Sequence, residues 1–279
     1  MITPCRAAVL GHPIAHSLSP ALHRAAYEWA GLNWRYDACD VTEDSLADFV
    51  AACGPEWAGL SLTMPLKRAI IPLLDEVSPL AASVDAVNTV VFRDGIALGD
   101  NTDIPGMVSA ISAVQRSPLS TACILGGGAT ARSALVAIAR LGAREVAVFV
   151  RRPEAGESMQ ALAASLGVSL TVEPWVRAAE GLLADLVVST VPAGAADGLV
   201  GSVPWEPGVL LDVVYAGWPT ALARSWLDHG GPVASGLDLL VEQAALQFTL
   251  MTGQPAPLEV MRAAGTLGGM GRLGTDASG

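Results

Sequence analysis

A glycine-rich turn in the middle of the chain has the residue types that bind a pyrophosphate. The turn directly follows the apolar run 122–125 and opens a stretch of helical periodicity. Glycines allow a sharp turn from strand to helix, and the free N–H groups at the helix N-terminus attract an anion. The residues predicted to form this nucleotide site are Gly126, Gly127, Gly128, Ala129, Thr130 and Ala131.

Two arginines indicate which nucleotide this turn would bind. Arg151 and Arg152 lie at the end of the next predicted strand, where NAD-binding units have an acidic residue about 20 residues after the glycines. A guanidinium at this place suits a 2′-phosphate and can stack on adenine, so the pair predicts NADP. In the alternative interpretation both arginines are solvated, and the nearby Glu154 is more typical of an NAD site.

Polar residues cluster at the ends of predicted strands, where open α/β sheets bind their ligands. Ser17 and Ser19 precede a predicted helix, and two hydroxyls beside a helix N-terminus suit a carboxylate. Ser19 before Pro20 is also typical of a helix cap. Thr63 and Lys67 follow a predicted buried strand, although a lone lysine is usually solvated surface.

Three further polar positions have both a ligand-binding and a structural interpretation. Asn88 lies in a run of alanines and valines, where an amide either meets a ligand or is satisfied inside the core. Asp103 either faces a ligand or caps the helix near Pro105, but capping does not explain the whole polar segment 99–103. Gln243 on a late helix faces either a cleft or solvent.

Apolar periodicity and turn residues predict two series of alternating strands and helices. The predicted strands are 7–10, 36–41, 59–63, 87–92, 96–98, 122–125, 145–150, 168–172, 186–190 and 209–214. The predicted helices are 21–30, 44–52, one that starts near Pro65, 130–141, 154–166, 238–251 capped by Asp238, and one that starts at Pro257. Asp94-Gly95 predicts a hairpin. We expect the second sheet to end at 209–214 and the Gly-rich segment 265–279 to be disordered.

The composition argues against several classes of protein. Hydrophobic residues make up 52% of the 279 residues, but no apolar run approaches the ~18 residues of a membrane-spanning helix. We see no secretory signal, and we therefore expect a cytoplasmic protein. The formal net charge of -11 disfavours nucleic-acid binding. The four cysteines lack C-x-x-C spacing, and His12 and His16 flank Pro13 in a loop, so no metal site is predicted.

The polar segments 11–20, 63–67, 86–89 and 99–103 follow one another in an order and spacing that belong to one family. Together with the glycine turn and the segments 212–215 and 236–244, they resemble the shikimate dehydrogenase family over nearly the whole chain. The resemblance implies an N-terminal α/β substrate domain of residues 1–103, completed by C-terminal helices in 238–264. It also implies a Rossmann-like, doubly wound NADP domain of residues 104–237.

The resemblance further implies a reaction and the residues that perform it. Members of the family reduce 3-dehydroshikimate reversibly to shikimate with NADPH, in the biosynthesis of chorismate and aromatic amino acids. The implied residues are, for the substrate carboxylate, Ser17, Ser19 and Tyr215; for its hydroxyls, Thr63, Asn88 and Gln243; and for catalysis, Lys67 and Asp103. The implied cofactor site extends to Thr190, Val191, Val213 and Gly236.

Lys67 and Asp103 suit the proton chemistry of this reaction. Negative charge develops on a ketone oxygen as it accepts hydride, and an ammonium group can stabilise that charge and deliver the proton. Asp103 would orient Lys67 and accept a hydrogen bond from a neighbouring substrate hydroxyl. The chain departs from the family where Ser61 replaces an Asn and where 150–152 reads Val-Arg-Arg in place of Asn-Arg-Thr.

Two other functions remain open on the sequence alone. One is a catabolic quinate/shikimate dehydrogenase that uses NAD, although the two serines and the arginine pair favour the biosynthetic enzyme. The other is a non-catalytic regulator that binds NADP or a metabolite on the same scaffold, although such a protein has no need for both Lys67 and Asp103. We expect a small-molecule substrate as partner, no nucleic acid and no membrane, and a monomer or homodimer.

Overall fold

The computed structural model describes residues 5–273, with side chains up to residue 269. The chain forms two compact units. The first contains the residues up to Thr102 together with those from Leu240 onward, and the second is Asp103–Leu239. The C-terminal helices therefore belong to the same unit as the N-terminal sheet.

The first unit is built around a sheet of six strands in the described residues. Its elements before residue 103 are β1 (Cys5–Gly11), α1 (Ser19–Trp29), β2 (Trp34–Asp40), α2 (Glu43–Ala51), β3 (Trp57–Leu62), α3 (Leu66–Ala69), β4 (Glu76–Val77), α4 (Pro79–Val84), β5 (Thr89–Arg93) and β6 (Ile96–Asp100). The strand order is β2-β1-β3-β5-β6-β4, and β5 runs antiparallel to both β3 and β6. Asp94 and Gly95 have positive φ in the β5–β6 turn, which confirms the predicted hairpin.

The second unit contains a parallel sheet with helices between its strands. Its elements are α5 (Asp103–Val114), β7 (Thr121–Leu125), α6 (Ala129–Leu141), β8 (Glu145–Val150), α7 (Pro153–Glu157), α8 (Gln160–Ser165), β9 (Ser169–Pro174), β10 (Leu186–Ser189), β11 (Val209–Asp212), α9 (Ala221–Asp228) and β12 (Val233–Ser235). The strand order is β9-β8-β7-β10-β11-β12. Every one of these pairs is parallel, and the order reverses at β7 as in a doubly wound dinucleotide-binding fold.

Two long helices complete the chain. The first, α10 (Gly236–Thr252), starts in the second unit and continues into the first, and α11 (Leu258–Leu273) packs against α1. A Cβ on Gly268 would lie 3.2 Å from the Leu18 side chain, so a small residue allows this close approach. Residues 265–273 are thus helical where composition predicts a disordered tail, because tertiary packing stabilises the helix. Residues 274–279 lie outside the described residues.

Two sequence predictions about the second unit were wrong. Its sheet does not end at 209–214, because β12 adds a strand of three residues, which is too short to give a pattern of its own. The predicted helix 154–166 is two helices, α7 and α8, separated at Ser158 and Met159. The Ser158 hydroxyl donates to the carbonyl of Ala155 at 2.8 Å, a local bond of the kind that competes with helix continuation.

Two predicted helix caps were also wrong. The N-cap of α1 is Leu18, and Ser19 is its first helical residue. Asp238 lies within the first turn of α10, where its carboxylate accepts from the backbone N–H of Ser235 at 2.9 Å. The Ser235 hydroxyl in return accepts from the N–H of Asp238 at 3.1 Å, so Ser235 performs the capping that was assigned to Asp238.

Candidate active site

The register of the first sheet brings four polar segments to one edge. The parallel pairing of β1 and β3 places the loops that follow these strands side by side. Thr89, the first residue of β5, pairs with Ser61 near the end of β3 and with Asp100 at the end of β6. The segments that meet at this edge are 17–20, 63–67, 88–89 and 99–102. We call them the polar cluster.

Two serines of the polar cluster lie at the start of α1. The backbone N–H of Ser17 donates to the carbonyl of Ile14 at 2.9 Å, which closes the loop after β1. The Ser17 hydroxyl accepts from the backbone N–H of Ser19 at 3.3 Å. Ser19 is buried at the N-terminus of α1, and its hydroxyl lies beside that of Tyr36.

Thr63 and Lys67 follow β3. The N–H of Thr63 donates to the carbonyl of Leu10 at 2.9 Å, and a Cβ on Gly11 would lie only 2.4 Å from the Thr63 methyl group. Glycine at position 11 therefore allows the two loops to approach. Lys67 is half-buried on α3, and its carbonyl accepts from the N–H of Val87 at 2.8 Å, which ties α3 to the segment before β5.

The amides of Asn88 and Gln243 lie together in the interior of the first unit. The Asn88 Oδ1 accepts from the N–H of Thr102 at 2.7 Å and from the Thr89 hydroxyl at 2.8 Å. Its Nδ2 donates to the Thr102 hydroxyl at 3.0 Å and to the Gln243 Oε1 at 3.4 Å. Asn88 is therefore a satisfied buried amide, and its 3.4 Å bond leads to α10.

Asp103 and Tyr215 belong to the second unit. Asp103 is the buried first residue of α5, and Tyr215 lies in the loop after β11. Asp212, at the end of β11, accepts from the Thr220 hydroxyl at 2.7 Å and from the N–H of Val214 at 3.2 Å. Burial raises the pKa of Asp212, and the bond from Thr220 opposes that rise. Asp212 thereby orders the loop that carries Tyr215.

A cavity of about 470 Å³ opens where β7, β8 and β10 end in the second unit. It is lined by Gly126, Gly127, Gly128, Phe149, Val150, Arg151, Arg152, Ala155, Trp175, Thr190, Val191, Pro192 and Ala195. Gly126 has a φ of +110°, and a Cβ there would meet the Thr190 hydroxyl at 2.6 Å. A Cβ on Gly128 would meet nothing within 4 Å, so the space before the N-terminus of α6 is open. An anion fits there, beside free backbone N–H groups.

Some of the predicted cofactor residues line this cavity, and others lie in the elements around it. The arginines Arg151 and Arg152 are exposed side chains that line it, beside Trp175, which the sequence analysis did not single out. Ala129 and Thr130 begin α6, and Ala131 is fully buried. A Cβ on Gly236 would lie 2.3 Å from the carbonyl oxygen of Val213, so that glycine allows two backbone segments to pack closely.

Within the described residues, no group of three or more His, Cys, Asp or Glu side chains is arranged to hold a metal ion. No helix there has the length and apolar character that crossing a membrane requires.

Comparison with known proteins identifies the family. Residues 9–90 match the model of the shikimate dehydrogenase substrate binding domain, and residues 236–264 match that of the shikimate 5'-dehydrogenase C-terminal domain. The shikimate dehydrogenase (NADP(+)) of Desulforamulus reducens is 35% identical over 268 residues, which cover 91% of this chain and 92% of that protein. The chain belongs to the shikimate dehydrogenase family.

Solved structures of this family share the fold. Shikimate dehydrogenase of Mycobacterium tuberculosis has a TM-score of 0.88 and 38% identity, over 95% of this chain and 100% of that one. The Thermus thermophilus enzyme in complex with NADP(H) and shikimate has a TM-score of 0.83 and 35% identity, over 95% and 99%. The predicted fold class is confirmed: an N-terminal α/β substrate domain, a Rossmann-like NADP domain, and C-terminal helices that return to the first.

One buried residue beside the polar cluster of this shikimate dehydrogenase family member was not predicted from the sequence. Gln247 is 1% exposed, and its Nε2 donates to the carbonyl of Asn88 at 3.2 Å. A signal for it was present, because Gln243 and Gln247 are four residues apart and share one face of a helix.

Proposed function

We propose that this chain catalyses the reversible, NADPH-dependent reduction of 3-dehydroshikimate to shikimate. The observation that carries the proposal is the polar cluster, which gathers hydroxyls, an ammonium group and amides at one edge of the first sheet. Relatives named shikimate dehydrogenase (NADP(+)), and the Thermus thermophilus structure with NADP(H) and shikimate, support this substrate and cofactor.

In this proposal the polar cluster binds the two ends of the substrate ring. Ser17 and Ser19 hold the carboxylate beside the N-terminus of α1, with help from Tyr215. Asn88 and Gln243 hold hydroxyls together with Thr63. The 3.4 Å contact between the two amides supports this role, since a substrate hydroxyl can replace so long a bond at little cost.

Lys67 and Asp103 manage the proton. The Lys67 ammonium stabilises the negative charge that develops on the substrate carbonyl oxygen and then donates a proton to it. Asp103 orients Lys67 and accepts from the neighbouring hydroxyl of the substrate. Both positions suit this work, since Lys67 is half-buried and Asp103 is buried, and partial burial strengthens electrostatic interactions.

The cavity of the second unit would hold NADP. Its pyrophosphate would lie against the glycine turn, and Arg151 and Arg152 would bind the 2′-phosphate. The remaining positions proposed for the cofactor are Ala129, Thr130, Ala131, Thr190, Val191, Val213 and Gly236. When bound in its reduced form, the nicotinamide supplies the hydride. We further propose a cytoplasmic enzyme, monomeric or homodimeric, that binds no nucleic acid.

A spectrophotometric assay tests the proposed function. The purified protein is mixed with 3-dehydroshikimate and NADPH, and separately with shikimate or quinate and each oxidised cofactor, while nicotinamide absorbance is followed. We expect turnover of shikimate with NADP+ and a lower kcat/KM with NAD+. Equal efficiency with both cofactors would contradict the NADP assignment, faster oxidation of quinate would favour the catabolic enzyme, and no turnover with any pair would favour the regulator.

A further inference from the structure

A buried series of side-chain hydrogen bonds runs through the first unit beside the polar cluster. The Tyr36 hydroxyl donates to the Ser61 hydroxyl at 2.7 Å. The Ser61 hydroxyl donates to the Gln247 Oε1 at 2.8 Å, across 186 residues of sequence. We call Tyr36, Ser61 and Gln247 the buried relay.

One end of the buried relay leads to Asn88. The Gln247 Nε2 donates to the carbonyl of Asn88 at 3.2 Å and to the Thr89 hydroxyl at 3.1 Å. The Thr89 hydroxyl donates in turn to the Asn88 Oδ1 at 2.8 Å. Both the backbone and the side chain of Asn88 are therefore fixed by Gln247, directly or through one hydroxyl.

The other end of the buried relay leads to the start of α1. Burial raises the pKa of Tyr36, and the hydroxyls of Ser61 and Ser19 beside it oppose that rise. His23, on α1, stacks face to face on the Tyr36 ring, with 4.1 Å between ring centroids and 4° between planes. The relay thus spans from the residues proposed for the carboxylate to those proposed for the hydroxyls.

The members of the buried relay cannot exchange partners with water. Tyr36 is 0%, Ser61 3% and Gln247 1% exposed. A buried group that loses its hydrogen-bond partner keeps its desolvation penalty, because water cannot replace the lost bond. Removing one member of the relay therefore disturbs the residues that were bonded to it. Ser61 uses its hydroxyl proton for Gln247 and accepts from Tyr36, so its role is to link these two residues.

We infer that Tyr36, Ser61 and Gln247 are positioning residues for substrate binding. They fix the position of Asn88 relative to the start of α1. The inference rests on the proposed function. The relay acts on a substrate-binding geometry that is the same in the ground and transition states, so its loss raises the KM for shikimate while kcat changes little. The cofactor site lies in the other unit, so the KM for NADP+ is unaffected.

The test compares Tyr36→Phe, Ser61→Ala and the double variant. Tyr36→Phe removes one hydroxyl and keeps the ring that stacks on His23. We expect each single variant to raise the KM for shikimate about 3- to 10-fold, the effect of losing one buried hydrogen bond, with kcat within about twofold of wild type. Because both changes interrupt the same relay, the double variant should be no worse than the more impaired single variant.

Ser225→Ala is the matched control. Ser225 is also a buried serine with one hydroxyl bond, to the carbonyl of Val200 at 3.2 Å, but it lies in the second unit. It should lower the melting temperature without raising the KM for shikimate. An unchanged KM in both relay variants, an equal rise in the KM for NADP+, or strictly additive effects in the double variant would overturn the inference. Absence of shikimate turnover by the wild type would instead contradict the proposed function.

Discussion

Neighbouring cations on the short helix α3 have different surroundings. Lys67 is half-buried within the polar cluster. The Arg68 side chain is 80% exposed and pairs with Asp85 at 2.8 Å, an exposed ion pair of the kind that contributes little to stability. The two positions therefore offer a direct comparison between a cation at the proposed site and one at the surface.

Lys67→Ala is expected to lower kcat by about 10²–10⁴-fold, because the variant loses the proton donor, while substrate binding weakens modestly. Arg68→Ala should remain near wild type. Steady-state kinetics with shikimate and NADP+ measures both. Near-normal kcat in Lys67→Ala would exclude the proposed role for this residue.

The exposed pair Arg151 and Arg152 is expected to set the cofactor preference. Changing both to Ala removes the positive charge at the cavity, and we expect the KM for NADP+ to rise at least about 10-fold, because charged hydrogen bonds to a phosphate are strong. The kcat/KM with NAD+ should change little. Arg140→Ala, on the exposed side of α6, is the control for general loss of charge. A parallel loss with both cofactors would contradict a role in 2′-phosphate binding.

Two glycines in the turn between β7 and α6, Gly127 and Gly128, are needed for different reasons. A Cβ on Gly127 would lie 2.8 Å from the Cβ of Ala155 and 2.9 Å from a methyl of Val150, so the turn must be small to pack on β8 and α7. Gly128 is the N-cap of α6, has an ordinary extended φ of -88° and faces open space. Gly127 is thus needed for packing, and Gly128 leaves the helix N-terminus accessible.

These two glycines give contrasting predictions. Gly127→Ala should lower the melting temperature, because backbone or core atoms must shift to admit the methyl group. Gly128→Ala should leave the melting temperature near that of wild type but weaken NADP+ binding, since the methyl group occupies the space before α6. Thermal unfolding and fluorescence titration with NADP+ separate the two effects. Similar melting temperatures for both variants would show that the packing argument is wrong.

At the scale of the whole molecule, a buried histidine links stability to pH. His23 is 0% exposed, and burial lowers its pKa from 6.5 to about 3, a shift that nearby Gln247 partly opposes. As the pH falls, the unfolded state therefore binds a proton on His23 near pH 6.5, whereas the folded state binds it only near pH 3. The stability present above pH 6.5 is lost progressively as the pH falls through this window.

We expect the free energy of unfolding to fall by about 2 kcal/mol between pH 7 and pH 5 on account of His23. His23→Phe keeps an aromatic ring against Tyr36 and should remove this part of the pH dependence. His16→Ala, which changes an exposed histidine, should retain it. Urea denaturation at pH 7, 6 and 5 measures the three proteins. An equal decline in His23→Phe and wild type would contradict the assignment.

Much of the fold and part of the site follow from local patterns. Apolar periodicity and turn chemistry predicted the strands of both units to within a few residues, apart from the very short β4 and β12. The polar segments were predicted to be candidate ligand sites because open α/β sheets bind ligands at strand ends. Local patterns failed where a side chain competed with the helix at Ser158, and where a glycine-rich segment was stabilised by packing on α1.

The sequence by itself determined the two βα series, the glycine turn, the ordered polar segments and the family to which they belong. Tertiary structure decided which polar groups satisfy one another. The bond from Ser61 to Gln247 joins positions 186 residues apart, and no periodicity of 2 or 3.6 residues encodes such a partner. Partners of this kind are fixed when burial removes water, because each polar group must then find its hydrogen bond within the chain.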